Sequence, residues 1–286
     1  MHPANMARRA SLPTAAPLFM GLLIMACLSG PAAAEETPLP KQLHPWGSFE
    51  PGAWKLVRVV TETFGEKGTV TGTSISESKT TLLDVDNLSV TLGMEVSVEV
   101  AGKRFDTEPQ IVKQGFHGEQ QTAALKLKEP ASGDVVIEDR KIPCQVQEIE
   151  TSNANGKTVT TIYYSTSVPP YILKRESVAS DPEGKNILSQ TDVSVQALDM
   201  PYKILGCLRS SAHVKTVQTT PKSKIVTLAI VCPEIPGGIV SHTSKELDPA
   251  GRLVRRSTLE LVDFGAEPEK DRSGVFTRKR PPRRAK

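Results

Sequence analysis

The sequence predicts a mainly β fold: a curved antiparallel sheet or half-open barrel that contains a duplicated four-strand unit and few helices. Three observations carry this. The chain repeats itself: Val168-Pro169-Pro170-Tyr171-Ile172 is echoed by Ile235-Pro236-Gly237-Gly238-Ile239, and Asp181-Pro182-Glu183-Gly184-Lys185 by Asp248-Pro249-Ala250-Gly251-Arg252, both 67 positions on. A register kept without a gap is the mark of a duplicated structural unit. Next, Leu88, Val90, Leu92, Met94, Val96, Val98 and Val100 alternate without a miss against Ser89, Thr91, Gly93, Glu95, Ser97 and Glu99. Period two over that length is a long strand with one face buried and one wet. Finally, aromatics are only 5% of the chain, while Val, Thr, Ser and Ile recur and 22 prolines and 20 glycines supply turns.

Each element follows in order. Residues 1–34 read as an export signal: Arg8-Arg9, an apolar run from Leu18 to Leu28, then Ala32-Ala33-Ala34 before Glu35-Glu36. The run is too short to span a bilayer and suits the core of a signal peptide. Ile24-Met25-Ala26-Cys27 loosely matches a lipoprotein box, so lipid anchoring at Cys27 stands as an alternative to simple cleavage. Residues 35–53 form a lead-in punctuated by Pro38, Pro40, Pro45 and Pro51, expected to lie extended on the surface with Trp46 pinning it. Residues 54–140 form the N-terminal sheet portion. Within it the Leu88–Val100 strand would run roughly 40 Å and must twist, so the sheet should curve. Glu119 to Leu125 collects helix formers between flanking glycines, which allows one short helix.

Residues 141–265 hold the duplicated unit, in copies 141–198 and 204–264. The first copy opens with Cys144 to Thr151, turns at Asn155-Gly156, returns through Thr158 to Thr166, breaks at Pro169-Pro170, and ends with Tyr171 to Ala179 and Asn186 to Leu198. Leu205–Thr216, Lys224–Cys232, Ile239–Leu247 and Leu253–Phe264 repeat the plan. Each Asp-Pro-x-Gly turn has its own logic: Asp caps its backbone, Pro presets φ and Gly takes the left-handed position. Cys144 matches Cys207 at an offset of 63, which would put a length difference in the first hairpin. A single copy is too small to bury its face alone, so the copies should share one sheet or core with residues 54–140. Residues 266–286 form a tail with Arg278, Lys279, Arg280, Arg283, Arg284 and Lys286 and little to bury, hence expected to be disordered.

Charge is concentrated in that tail. The formal charge is +3; the signal holds two arginines and no acid, and the tail from Glu267 holds eight basic residues and three acids, so the folded body is near −4. The tail could meet an anionic lipid or wall surface. It has no interleaved aromatics, which argues against nucleic acid.

Reactive constellations are sparse. No cysteine or histidine spacing fits a metal site, and no metal or cofactor is expected. There is no Gly-x-Ser-x-Gly elbow and no phosphate-cradling glycine loop. Gly115-Phe116-His117-Gly118-Glu119 sets a histidine beside a carboxylate, the pattern of a general base and equally of a surface loop. Cys207 and Cys232 fall on expected hairpin partners and could form a disulfide in an exported chain, with Cys144–Cys207 as the alternative. The Leu88–Val100 alternation is the candidate ligand-binding stripe.

The Cys-bearing strand, the hairpin, the Val/Ile-Pro-x-x-Ile break and the Asp-Pro-x-Gly-Lys/Arg turn resemble the strand units of uncharacterised exported bacterial β-proteins. More distantly, they are similar to the LolA/LolB-type periplasmic lipoprotein carriers, over roughly Trp54 to Phe264. That resemblance implies a strongly curved sheet with an apolar concave face holding acyl chains. The expected function is therefore an exported, non-catalytic envelope protein of the periplasm, cell surface or exterior. It would bind an apolar or amphipathic ligand, or a protein partner, on a concave face, with no membrane-spanning helix in the mature chain. A structural or adhesive module gripping an anionic surface through its tail, and a hydrolase working at His117 and Glu119, are the alternatives.

Overall fold

A computed structural model describes residues 40–117, 124–154 and 156–266. The expectations placed on the signal, Cys27, Glu119, Asn155 and the basic tail lie outside the described residues.

All fifteen strands join one curved antiparallel sheet that does not close into a barrel. The chain enters with β1 (Trp54–Phe64), β2 (Val70–Val85) and β3 (Ser89–Val100), three long strands joined by tight turns. Asp86 makes one of these turns. Its carboxylate accepts hydrogen bonds from the backbone N–H of Leu88 and Ser89 and from the Ser89 hydroxyl, and these hold its pKa down at about 2. Short strands β4 (Lys103–Asp106) and β5 (Gln110–Gly115) share the outer edge of β3. Then β6 (Ala124–Leu127) and β7 (Ala131–Ile137) share the outer edge of β8 (Arg140–Asn153). From β8 an unbroken meander runs through β9 (Gly156–Tyr164), β10 (Ile172–Ser180), β11 (Ile187–Ile204), β12 (Cys207–Thr219), β13 (Lys224–Val231), β14 (Ile239–Leu247) and β15 (Leu253–Gly265). β15 then pairs with β1, so the C-terminal strand stitches the meander to the N-terminal hairpin.

The expected short helix gives way to strand at its end: Ala124 and Leu125 open β6, paired with Ser152 and Thr151 of β8. Backbone pairing outweighs the helix preference of those residues, as tertiary context routinely does. Among the described residues the one helical element is a 3-10 turn at Lys41–Leu43. Among the described residues, no helix is long and apolar enough to cross a membrane.

The two meanders β8–β11 and β12–β15 carry the same backbone plan. The Ser165 N–H donates to the Tyr171 carbonyl at 2.8 Å, as Cys232 donates to Gly238 at 2.8 Å, and the Tyr171 and Gly238 N–H groups reach back to Val168 and Ile235. The registers Gln145↔Tyr164 and Ala212↔Val231 differ by 67 at both partners. This corrects the offset of 63: the first hairpins are of equal length. Cys144 therefore corresponds to Ser211, and Ser165 to Cys232. A one-residue difference falls instead in the Asp-Pro turns, where Asp181 N–H donates to the Asn186 carbonyl but Asp248 N–H to that of Arg252.

The lead-in is also corrected. It does not lie on the surface: Leu43, His44 and Trp46 are buried, and Phe49 packs beside them. Leu43, Trp46 and Phe49 recur every third residue, so a succession of tight turns presents all three to one side. Their cluster also takes Leu82, Val90 and Leu92 from β2 and β3, and Ile149, Ile162 and Tyr164 from β8 and β9. These strands stand at opposite ends of the strand order, so the sheet curls toward the face carrying these side chains. That face is concave.

Candidate functional site

Directly opposed residues in an antiparallel ladder share a face, so the registers map the concave surface residue by residue. One row reads Val100, Ser74, Thr61, Ser257, Ser244, Thr227 and Thr216 across β3, β2, β1, β15, β14, β13 and β12. Six adjacent strands thus place a hydroxyl at one level. Two residues along each strand, the neighbouring row reads Val98, Ser76, Val59, Leu259, His242, Ala229, Val214 and Val195. It is apolar except for Ser76 and His242. Beyond it, toward the Ile235–Gly238 corner, Val57, Val240 and Leu261 close into a buried cluster with Ile235, Cys232 and Ile204. Along these six strands the surface therefore passes from packed core, through a half-buried apolar row, to hydroxyls near the hairpin turns.

The hydroxyl end is hollow. A depression of about 270 Å³ is lined by Thr61, Ser244, Ser257, Ile225, Glu246, Arg255 and Arg256. Thr227 donates to Ser244 at 3.0 Å, and Arg255 and Glu246 pair at 2.7 Å. A second depression of about 470 Å³ lies nearby, between the Gly65–Gly68 and Asp248–Arg252 turns. His242, half-buried in the apolar row, has its pKa lowered by burial.

The expected ligand stripe divides. Leu88 sits in the Asp86 turn, 64% exposed, outside the strand. Val90 and Leu92, the latter 7% exposed, are packed by the chain's own lead-in and by β8 and β9. Met94, Val96 and Val98 are half-buried on the concave face. Val100 reaches the strand end, where it is 46% exposed. The stripe is continuous in sequence, but the sheet's curl covers only one half of it.

The expected disulfide is not formed: Cys144, Cys207 and Cys232 are free thiols. Cys207 pairs with Ile204 on β11, while the β12–β13 ladder ends at Ala212↔Val231, so Cys232 faces the level of Ser211, well short of Cys207. Burial raises the pKa of Cys144 and of Cys232. His117 is buried at the end of β5, and its backbone carbonyl accepts from Arg175 at 3.3 Å. Its neighbour Phe116 stacks obliquely on His44, centroids 5.6 Å apart. His44 accepts the Trp46 N–H at Nδ1, 3.3 Å away, and burial lowers its pKa to about 4. Lys55 is half-buried, its ammonium 3.3 Å from the Gly237 carbonyl and over the Trp46 ring; desolvation lowers its pKa to about 8. Among the described residues, no group of three or more His, Cys, Asp or Glu is placed to hold a metal ion.

Sequence reading missed the hydroxyl row. Its signal was present: Thr and Ser at alternate strand positions with charges between them, as in Thr61-Glu62 and Ser244-Lys245. Read strand by strand, they pass for ordinary β-formers.

No family model matches this chain, and no curated protein matches it. Three solved structures are matched at low similarity. One is a protein from Bacteroides fragilis assigned as exported, with a YmcC-like fold: 10% identity, TM-score 0.30, covering 76% of this chain and 97% of that one. Another is a protein from Parabacteroides distasonis assigned as a lipoprotein: 14% identity, TM-score 0.28, covering 75% and 97%. The third is a DUF1329 family protein from Desulfovibrio piger: 8% identity, TM-score 0.27, covering 76% and 85%.

Proposed function

We propose that this chain is an exported, non-catalytic envelope protein that takes an amphipathic ligand on its concave face. The observation carrying this is the layering of that face. A half-buried apolar row, with Val98, Val59, Leu259 and Val214, lies beside a row of hydroxyls, and the lead-in fills a different part of the interior. An alkyl chain laid along the apolar row, beside Met94 and Val96, would bury surface at about 25 cal/mol per Å². Export is supported by the signal-like residues 1–34.

Native mass spectrometry of gently purified protein tests this. The expected result is a bound small molecule, released by organic extraction, whose occupancy falls in Val98→Asp. Ligand-free protein that also ignores a fluorescent fatty-acyl probe would overturn the reading.

A further inference from the structure

We infer that the head group of this ligand is neutral and polyhydroxylated: a glycan carried on an alkyl chain. The inference rests on the proposed amphipathic ligand and adds the chemistry of its polar end.

Three observations carry it. The first is the extent of the hydroxyl row. Ser74, Thr61, Ser257, Ser244, Thr227 and Thr216 stand on six adjacent strands, so at ~4.8 Å per strand they cover about 24 Å. That is longer than a single glycerol needs. Each hydroxyl both donates and accepts, the bonding a sugar hydroxyl offers in return.

The second is charge. From β2 to β12, the charged side chains at the hydroxyl row and the row beyond it are Arg255 and Glu246, and they neutralise each other at 2.7 Å. A phosphate or carboxylate head would find no uncompensated cation there, because Arg256, the other cation lining the depression, pairs with Glu62. Beyond Thr216 the row runs through Val193 to Arg175, which is engaged with Ser177 and the His117 carbonyl, and on to the buried Ile162 and Gln147.

The third is the contrast with the other face. On the convex side the same strands carry Arg58, Glu62, Glu77, Lys79, Lys215, Lys245, Arg256 and Glu260, with pairs such as Arg58–Glu77 and Arg256–Glu62. Solubility is supplied there by charge. The concave face uses hydroxyls instead, and it holds the depression lined by Thr61, Ser244 and Ser257.

Calorimetry on the full chain, with probes kept below their micelle concentrations, tests the inference. The probes are dodecyl maltoside, dodecylphosphocholine and dodecanoate. Dodecyl maltoside should bind at least about tenfold more tightly than the other two, a margin one or two net hydrogen bonds supply. Thr227→Val and Ser244→Ala, each checked for native circular dichroism, should erase that margin and leave dodecanoate binding unchanged. Equal affinity for all three probes would overturn the head-group inference and leave the amphipathic-ligand reading standing. Binding of none would overturn both. A maltoside preference that survives both variants would also overturn it, since the hydroxyl row would not be its source.

Discussion

The two corners of the repeated unit, Val168–Ile172 and Ile235–Ile239, make the same hydrogen bonds with different residues. In both, the fourth residue is left-handed: Tyr171 at φ 72° and Gly238 at φ 71°. In both, the corner skips one residue in the ladder, and that residue, Leu173 or Val240, is deeply buried. The third position separates them. Pro170 fills it in the first copy, whereas Gly237 in the second has the Trp46 ring so near that an added Cβ would lie 2.8 Å from it. The Gly237 N–H also donates to the Pro45 carbonyl at 3.0 Å, a bond proline would lack. The difference teaches that the second corner has become the socket for the lead-in, while the first keeps its turn as a wall of the core through Tyr171 and Ile172. A repeat can hold its hydrogen bonds and still divide its labour at one residue.

That contrast can be broken most severely at the anchor. Trp46, 5% exposed, spans the lead-in cluster and the second corner, and Trp46→Ala should cost about 3–5 kcal/mol by urea denaturation. A loss under 1 kcal/mol would mean the socket is not formed. Next comes acid. Burial lowers the His44 pKa from 6.5 to about 4, so the unfolded chain binds more protons between these values. Stability should therefore be fully present above pH 6.5 and fall by about 3 kcal/mol as pH drops through 4. His44→Phe should flatten that segment of the profile, which melting curves at stepped pH would reveal.

Smaller effects sharpen the comparison. Gly237→Ala should lower stability by about 1–3 kcal/mol through its positive φ and its contact with Trp46. An unchanged melting temperature would mean that this position is not the closed socket described above. Smallest is the response of the thiols. Cys207 is exposed, while Cys144 and Cys232 are buried with raised pKa values, so of these three an uncharged thiol reagent should modify Cys207 natively and Cys144 and Cys232 only on unfolding.

Fold class, the strands of the two meanders and both Asp-Pro turns were legible in the sequence because they depend on local chemistry. Alternation sets a strand's face. Proline and glycine set its ends, and a repeated turn needs the same few residues each time. Apart from Trp46 as the pin, the packing of residues 41–49 was not legible. The three apolar side chains at Leu43, Trp46 and Phe49 were visible, but nothing local told that the curled sheet leaves a space for them. The same is true of the cysteines, whose separation depends on where the β12–β13 ladder stops.

What the sequence by itself determined is a β-rich chain built on a 67-residue echo. Tertiary structure alone decided which half of the Leu88–Val100 stripe is core and which stays open, and that six hydroxyls far apart in the chain stand in one row. The reason is physical: periodicity assigns a side chain to a face of its own strand, but only the pairing register and the curl of the sheet decide which other side chains share that face.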